Sequence, residues 1–217
     1  MLFAPAAPRI AKFMRRSVIF LLLALALALA ASAYLWRLGD ERAAGRQQPM
    51  SSEEDTAVTI GGPFSLIDQD GRRRSEQDFR GRFMLVFFGY TYCPDVCPTS
   101  LAVIAATLER LGADADRLVP VMISVDPKRD TPEILKSYLA AFGSRFVGLT
   151  GSETEIATAA KAFRVYYNPM PNEAGTLDHS SVIYLMDPGG VFVANYSLQT
   201  PPDDMANDIK AKLIAAP

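Results

Sequence analysis

The chain has few side chains that can bind soft metals or carry thiol chemistry. Its 217 residues include two cysteines and one histidine. Cys93 and Cys97 lie in a single turn, and the histidine is His179. Thiol chemistry is therefore restricted to one pair of sulfurs, and a thiophilic metal held within one chain is expected to use Cys93 and Cys97, with His179 as a further candidate ligand. Structural zinc normally takes four such ligands, so zinc fits this inventory poorly.

Acidic residues are absent before Asp40, and no charge of either sign interrupts the apolar stretch 18–36. The cations that precede this stretch are Arg9, Lys12, Arg15 and Arg16. A helix needs about 20 apolar residues to span a bilayer, and flanking cations favour the cytoplasmic side. We therefore predict a basic cytoplasmic N-terminus over 1–17 and a single-pass transmembrane anchor over 18–38. The anchor would lie in the inner (cytoplasmic) membrane, with the rest of the chain on the extracytoplasmic, periplasmic side.

A cleaved signal peptide is the alternative to an anchor. Ala31-Ser32-Ala33 resembles a processing site that follows an apolar core. The anchor is favoured because the apolar run continues past this site to Trp36, and because Tyr34 and Trp36 suit the headgroup region. Both interpretations export the same domain.

The exported part of the chain is acidic. Residues 39–57 are polar without clear periodicity and predict a flexible tether, and 58–217 are long enough for one domain with a core. From Asp40 onwards there are 17 cations and 24 acids, a net charge of −7. This charge disfavours a nucleic-acid partner. Solubility is a simpler explanation for it than attraction to a basic protein.

The hydrophobic pattern of residues 58–217 predicts alternating strands and helices. Apolar residues recur in a loose alternation over 58–68, and the turn Asp68–Gly71 follows. This pattern predicts an N-terminal hairpin. The uninterrupted apolar run 83–89 predicts a strand covered on both faces. Further strands are predicted over 119–125, 146–149, 181–186 and 191–196, a loop over 166–178, and helices over 98–112, 131–143, 152–163 and 200–213. This order predicts an α/β, thioredoxin-like fold with an N-terminal β-hairpin extension and a helix-containing insert.

The two cysteines follow the strand 83–89 and precede a helix. A helix N-terminus favours a thiolate, and open α/β sheets place functional crevices at the carboxyl ends of their strands. Cys93 and Cys97 are one residue further apart than in a C-x-x-C pair, but across a turn both sulfurs can face one point. His179 lies on a loop that can return to the same edge. Two thiolates and an imidazole suit copper in either oxidation state.

Other interpretations of these residues remain open. The cysteines could form a simple disulfide, although so short a loop gives little stabilisation. His179 could be an ordinary surface residue. Asp126 and Asp130 are explained by a turn and a helix start, and Tyr90 and Tyr92 would line the site.

Three segments together resemble the Sco/SenC family: Tyr92–Pro98, Ser124–Pro132 and Asp178-His179-Ser180. Members are membrane-anchored copper proteins of thioredoxin-like fold that assist assembly of the copper site in cytochrome c oxidase. The resemblance extends from about residue 58 to the end. It implies that Cys93, Cys97 and His179 are copper ligands. It also implies two partners: the copper-binding subunit of the oxidase, and another copper carrier as donor or acceptor.

Three functions are compatible with these residues. The first is a metallochaperone that holds one copper ion and passes it on by ligand exchange. The second is a thiol–disulfide oxidoreductase, with Cys93 and Cys97 as the redox pair, that keeps cysteines of an oxidase subunit reduced. A thioredoxin-like peroxidase is disfavoured, since the turn lacks a Thr-x-x-Cys arrangement. The first two need the same thiols and can coexist.

Overall fold

A computed structural model describes residues 27–35, 59–169, 177–179 and 181–215. Residues 27–35 are helical with exposed side chains and fall within the predicted anchor. The rest of that anchor, the predicted cytoplasmic N-terminus 1–17 and the predicted tether 39–57 lie outside the described residues. The anchor therefore stays a prediction.

A seven-stranded mixed sheet organises the part of the chain from Val58 onwards. Its strands are β1 Ser65–Asp68, β2 Arg73–Ser75, β3 Phe83–Gly89, β4 Leu118–Ser124, β5 Val147–Thr150, β8 Val182–Met186 and β9 Phe192–Ser197. Their spatial order is β2-β1-β5-β4-β3-β8-β9. The central trio β3, β4 and β5 is parallel, and the remaining neighbours are antiparallel. A separate two-stranded ribbon pairs β6 Tyr167–Pro169 with β7 Leu177–His179.

In the described part of the chain from residue 59 onwards, four α-helices accompany the sheet: α1 Val96–Leu111, α2 Pro132–Leu139, α3 Glu153–Ala162 and α4 Pro202–Ala215. Short 3-10 turns occupy Glu76–Phe79 and Gly112–Arg117. Every residue of β3 and β4 is buried, which explains why both strands are apolar throughout. Helix α1 packs against α4, with the Thr107 hydroxyl 3.5 Å from the Met205 sulfur.

One helical stretch among the described residues, Val96–Arg117, is long and apolar enough by composition to cross a membrane. It comprises α1 and the 3-10 turn that follows. Leu101, Ile104 and Leu108 are buried in the core of the domain. Packing within the domain therefore accounts for its apolar composition.

Local signals predicted several element boundaries correctly. The hairpin of β1 and β2 is present, and β3 covers the predicted residues. Thr131 caps α2 by accepting a hydrogen bond from the Ile134 N–H, with Pro132 in the first turn. Ser152 and Glu155 form the predicted capping box of α3.

The ends of two helices differ from the prediction. Helix α2 stops at Leu139 instead of continuing to Gly143. The N–H groups of Ala141 and Phe142 bond to carbonyls three residues back, so the last turn tightens. Helix α1 begins at Val96, two residues earlier than predicted. Pro98 is tolerated there because the first N–H groups of a helix have no partner within it.

The loop predicted over 166–178 is wrong at both of its ends. Tyr167 pairs with His179, and Pro169 with Leu177, in an antiparallel ribbon. Each strand has only three residues, and β6 includes Pro169, so neither strand shows the alternation of apolar and polar residues that marks a strand in a sequence. The pairing returns His179 toward Tyr167 rather than leaving it on an unpaired loop.

Candidate metal centre

The two cysteines occupy the junction between β3 and α1. Cys93 lies in the connecting turn, and Cys97 lies in the first turn of the helix. Both are among the described residues and are thiols rather than a disulfide. The Cys97 N–H points at the Cys93 sulfur at 3.5 Å, and the Cys93 N–H donates to the Tyr90 carbonyl at 3.3 Å. As predicted, both cysteines lie at the carboxyl end of a buried parallel strand.

The two thiols differ sharply in their surroundings. Cys93 is half-buried, whereas Cys97 is 0 % exposed. Burial opposes ionisation of Cys93, but hydrogen bonds from the backbone N–H groups of Asp95 and Cys97 outweigh it and lower its pKa. Burial is also the main reason that the pKa of Cys97 is strongly raised. Without metal, Cys93 is therefore the more readily ionised and more accessible sulfur.

Gly89 allows Cys97 to pack directly against the end of β3. A β-carbon at this position would lie 3.0 Å from the Cys97 sulfur and 2.6 Å from the Phe87 ring. The second distance is too short for any side chain without movement of the ring. The glycine is therefore required by close approach, since its φ is not in the left-handed region.

A buried carboxylate beneath the turn ties it to the end of β4. Asp130 is 0 % exposed and accepts hydrogen bonds from the Thr91 N–H at 3.1 Å and the Thr91 hydroxyl at 2.5 Å. It also accepts one from the Ser124 hydroxyl at 2.5 Å. Burial raises the pKa of Asp130, and these donors oppose the rise. The sequence explained Asp130 as part of a turn and missed this role, because no local pattern indicates that the carboxylate reaches Thr91.

Arg129 and two tyrosines form one side of the cysteine turn. The Arg129 guanidinium lies 4.7 Å from the centre of the Tyr92 ring and 5.9 Å from that of Tyr90, and it pairs with Asp126. Tyr92 is 60 % exposed, whereas Tyr90 is 1 % exposed. Both tyrosines lie beside the cysteine turn, but only Tyr90 is enclosed.

The strand that carries His179 is attached to the cysteine turn through Tyr90. The Leu177 N–H donates to the Tyr90 hydroxyl oxygen at 3.0 Å, and the same hydroxyl donates to the Leu177 carbonyl at 3.4 Å. Leu177 is two residues before His179 in β7. The backbone of β7 is thus connected to the turn, while the His179 side chain lies outside what the structure describes. Among the described side chains, no three of His, Cys, Asp and Glu cluster as metal ligands.

Comparison with known proteins gives consistent matches. The SCO1/SenC family profile matches residues 52–214. The SCO2-like protein of Rickettsia felis is 40% identical over 157 residues, covering 70% of this chain and 77% of that protein. The structure of Bradyrhizobium japonicum ScoI with copper bound has 46% identity and a TM-score of 0.66, covering 70% of this chain and 98% of the other.

A further solved structure, that of BsSco, has 30% identity and a TM-score of 0.60, covering 71% of this chain and 94% of the other. BsSco is described as having a disulfide switch and as a member of the Sco family of cytochrome c oxidase assembly proteins. These matches confirm the predicted thioredoxin-like domain and the resemblance carried by the three sequence segments. The chain belongs to the SCO1/SenC family.

Proposed function

We propose that this protein is a membrane-anchored copper metallochaperone. It binds one copper ion through Cys93, Cys97 and His179 and delivers it to the copper site of cytochrome c oxidase during assembly. The observation that carries the proposal is the approach of the Cys97 N–H to the Cys93 sulfur, at 3.5 Å, beside a residue that tethers the His179 strand. The copper-bound Bradyrhizobium japonicum relative and the description of BsSco support the metal and the oxidase.

The chemistry of this donor set suits a transported ion. Two thiolates favour Cu(I), and an imidazole helps to hold Cu(II). Metal binding requires both thiols to lose their protons, and a bound cation offsets the cost of a buried Cys97 thiolate. Cys93 is the more exposed sulfur, so an incoming ligand from a partner would displace it first. Copper then leaves by stepwise exchange of ligands without a change in its oxidation state.

A thiol–disulfide oxidoreductase is the second candidate. The lowered pKa of Cys93 favours it, because a thiolate is the attacking species in disulfide exchange. The Cys93 thiolate would attack a disulfide of an oxidase subunit, releasing one thiolate and forming a mixed disulfide. Cys97 would then attack Cys93, releasing the second thiolate and leaving an intramolecular disulfide. The substrate gains the two electrons that the Cys93/Cys97 pair loses.

Attachment and partners complete the proposal. Residues 18–38 anchor the chain in the inner (cytoplasmic) membrane, residues 39–57 act as a tether, and 58–217 work on the periplasmic side. The uncharged stretch 18–36 behind four cations supports this arrangement. The partners are the copper-binding subunit of the oxidase and a second copper carrier.

The test combines metal binding with oxidase assembly. The full-length protein should bind one copper ion, and Cys93→Ala and Cys97→Ala should each abolish tight Cu(I) binding in competition with a chelator. His179→Ala should weaken Cu(II) binding and change its electron-spin spectrum. Copper loading of the oxidase in a strain carrying His179→Ala then separates the candidates. Loss of loading with an unchanged thiol potential supports the metallochaperone, whereas normal loading overturns it in favour of the oxidoreductase.

A further inference from the structure

Tyr90 has an unusual position between the two halves of the proposed copper site. It directly follows β3, and its carbonyl accepts the Cys93 N–H at 3.3 Å. Its side chain is almost fully enclosed, with 1 % exposure, although it ends in a polar group. A buried tyrosine hydroxyl needs hydrogen-bond partners. Here they come from two segments that lie far apart in the sequence.

The first set of partners belongs to β7. The Leu177 N–H donates to the Tyr90 oxygen at 3.0 Å, and the Leu177 carbonyl lies 3.4 Å away as an acceptor. The second partner is the Cys93 side chain, to which the same hydroxyl is hydrogen-bonded. One oxygen therefore contacts the cysteine turn and the strand that contains His179.

Tyr167 and Leu177 pack against the domain core, and among the described residues the hydrogen bonds between Leu177 and Tyr90 join the ribbon to the cysteine turn. β6 and β7 have three residues each and pair only with each other in the described sheets. Two short strands are marginal by themselves and take their position from contacts with the rest of the protein. The 3.0 Å bond from the Leu177 N–H is stronger than the bond to the carbonyl, because its length is typical of an N–H···O hydrogen bond.

We propose that Tyr90 is a positioning residue that holds the backbone of His179 in register with the Cys93/Cys97 pair. This inference rests on the proposed three-ligand function and adds to it a residue that binds no metal. The hydroxyl fixes Leu177, and Leu177 fixes the start of the strand that ends at His179. The contribution of His179 to copper binding therefore depends on a side chain in the opposite half of the site.

Tyr90→Phe is the variant that tests this proposal, because it keeps the ring and removes only the hydroxyl. The matched control is Tyr196→Phe. Tyr196 is also buried, and its hydroxyl donates to Asp208 at 2.7 Å, between β9 and α4. Both variants delete one buried tyrosine hydroxyl, but only the first deletes a contact with β7.

Copper affinity is measured on the full-length protein with competing chelators for Cu(I) and for Cu(II), in the presence and absence of His179→Ala. Tyr90→Phe should weaken Cu(II) binding about fivefold to tenfold, which is the value of one net hydrogen bond. With His179→Ala already present, the same change should weaken it no more than about twofold, because the two residues act through one interaction. Any effect that Tyr90 exerts through Cys93 persists in both backgrounds, so the cycle separates the two routes.

A metal-free measurement tests the same link directly. In the absence of copper, hydrogen exchange of the Leu177 amide should be faster in Tyr90→Phe than in the wild type, and unchanged in Tyr196→Phe. Equal Cu(II) losses in both His179 backgrounds would overturn the proposal, as would unchanged protection of the Leu177 amide. If His179→Ala weakens Cu(II) binding but Tyr90→Phe does not, only the positioning role is refuted. If His179→Ala itself has no effect, the three-ligand site fails and the positioning role fails with it.

Discussion

The carboxylate of Asp130 provides a quantitative test of how the cysteine turn is supported. Replacing Asp130 with alanine removes the acceptor of three hydrogen bonds, from the Thr91 N–H and from the hydroxyls of Thr91 and Ser124. The hydroxyls can rotate toward other acceptors, but the backbone N–H cannot. A buried donor left without a partner costs about 1–3 kcal/mol. The cavity left by the deleted carboxylate adds to this cost. We therefore expect Asp130→Ala to lower the free energy of unfolding by about 3–5 kcal/mol.

Asp130→Asn keeps the shape of the side chain but removes its charge and one of its two acceptor oxygens. The amide keeps one acceptor oxygen but places an NH₂ group where a second oxygen accepted donors. One carboxylate oxygen accepts the Thr91 hydroxyl and the other accepts the Ser124 hydroxyl. In the amide, one of these hydroxyls would face the NH₂ group, which is itself a donor, unless the hydroxyl rotates away. Removing a buried negative charge partly offsets this loss. We therefore expect a smaller cost of about 1–2 kcal/mol for Asp130→Asn.

Chemical denaturation of the full-length protein, followed by near-ultraviolet circular dichroism, measures both variants. Asp208→Asn is the control, since Asp208 also accepts a side-chain hydroxyl, that of Tyr196, but is partly exposed and lies on α4. That control should cost about 1 kcal/mol or less. The reasoning is refuted if Asp130→Ala destabilises no more than Asp208→Asn does, because the carboxylate would then not support the turn.

Three further predictions follow from the packing, the charges and the N-terminus. Gly89→Ala should destabilise the fold by about 1–3 kcal/mol through overpacking and weaken Cu(I) binding, because its β-carbon would meet Phe87 and Cys97; unchanged copper affinity in a chelator competition would contradict this. Ser152 and Arg73 lower the pKa of Glu155 from 4.5 to about 2, so its stabilisation is complete above pH 4.5 and is lost as the pH falls toward 2. Glu155→Gln should reduce the loss of unfolding free energy that occurs as the pH falls below 4.5. An unchanged pH dependence of the free energy of unfolding would argue against the interaction. Finally, the native protein should resist carbonate extraction and keep its full mass, whereas a soluble product that begins at Tyr34 would indicate a cleaved signal.

The elements that the sequence predicted well are those specified by neighbouring residues. The run Phe83–Gly89 is apolar throughout, which a strand covered on both faces requires. The cap Thr131-Pro132 and the box formed by Ser152 and Glu155 need residues at most three positions apart. The positions of the two cysteines were predicted in the same way. The apolar strand before them and the helix after them can both be recognised from neighbouring residues, so the turn between them is placed as well.

The features that the sequence could not predict depend on contacts between distant residues. The ribbon joins Tyr167 to His179 through main-chain pairing that leaves no period in so short a strand. Asp130 reaches Thr91 across the ends of two parallel strands, 39 positions apart. Tyr90 was placed beside the site from its position in the turn, but its bond to Leu177 spans 87 positions. Such contacts become visible only when the sheet order is known.

The connection between Tyr90 and β7 also bears on the choice between the two candidate functions. A thiol–disulfide oxidoreductase needs only Cys93 and Cys97, and their positions are already fixed by the turn into α1, by packing at Gly89 and by the bonds from Thr91 to Asp130. Nothing in that reaction requires β7 to be held against the cysteine turn. A copper carrier does require it, because an imidazole can share an ion with the two thiolates only if its strand keeps a fixed distance from them. The bond from the Leu177 N–H to the Tyr90 hydroxyl therefore favours the metallochaperone as the function that uses every part of this site.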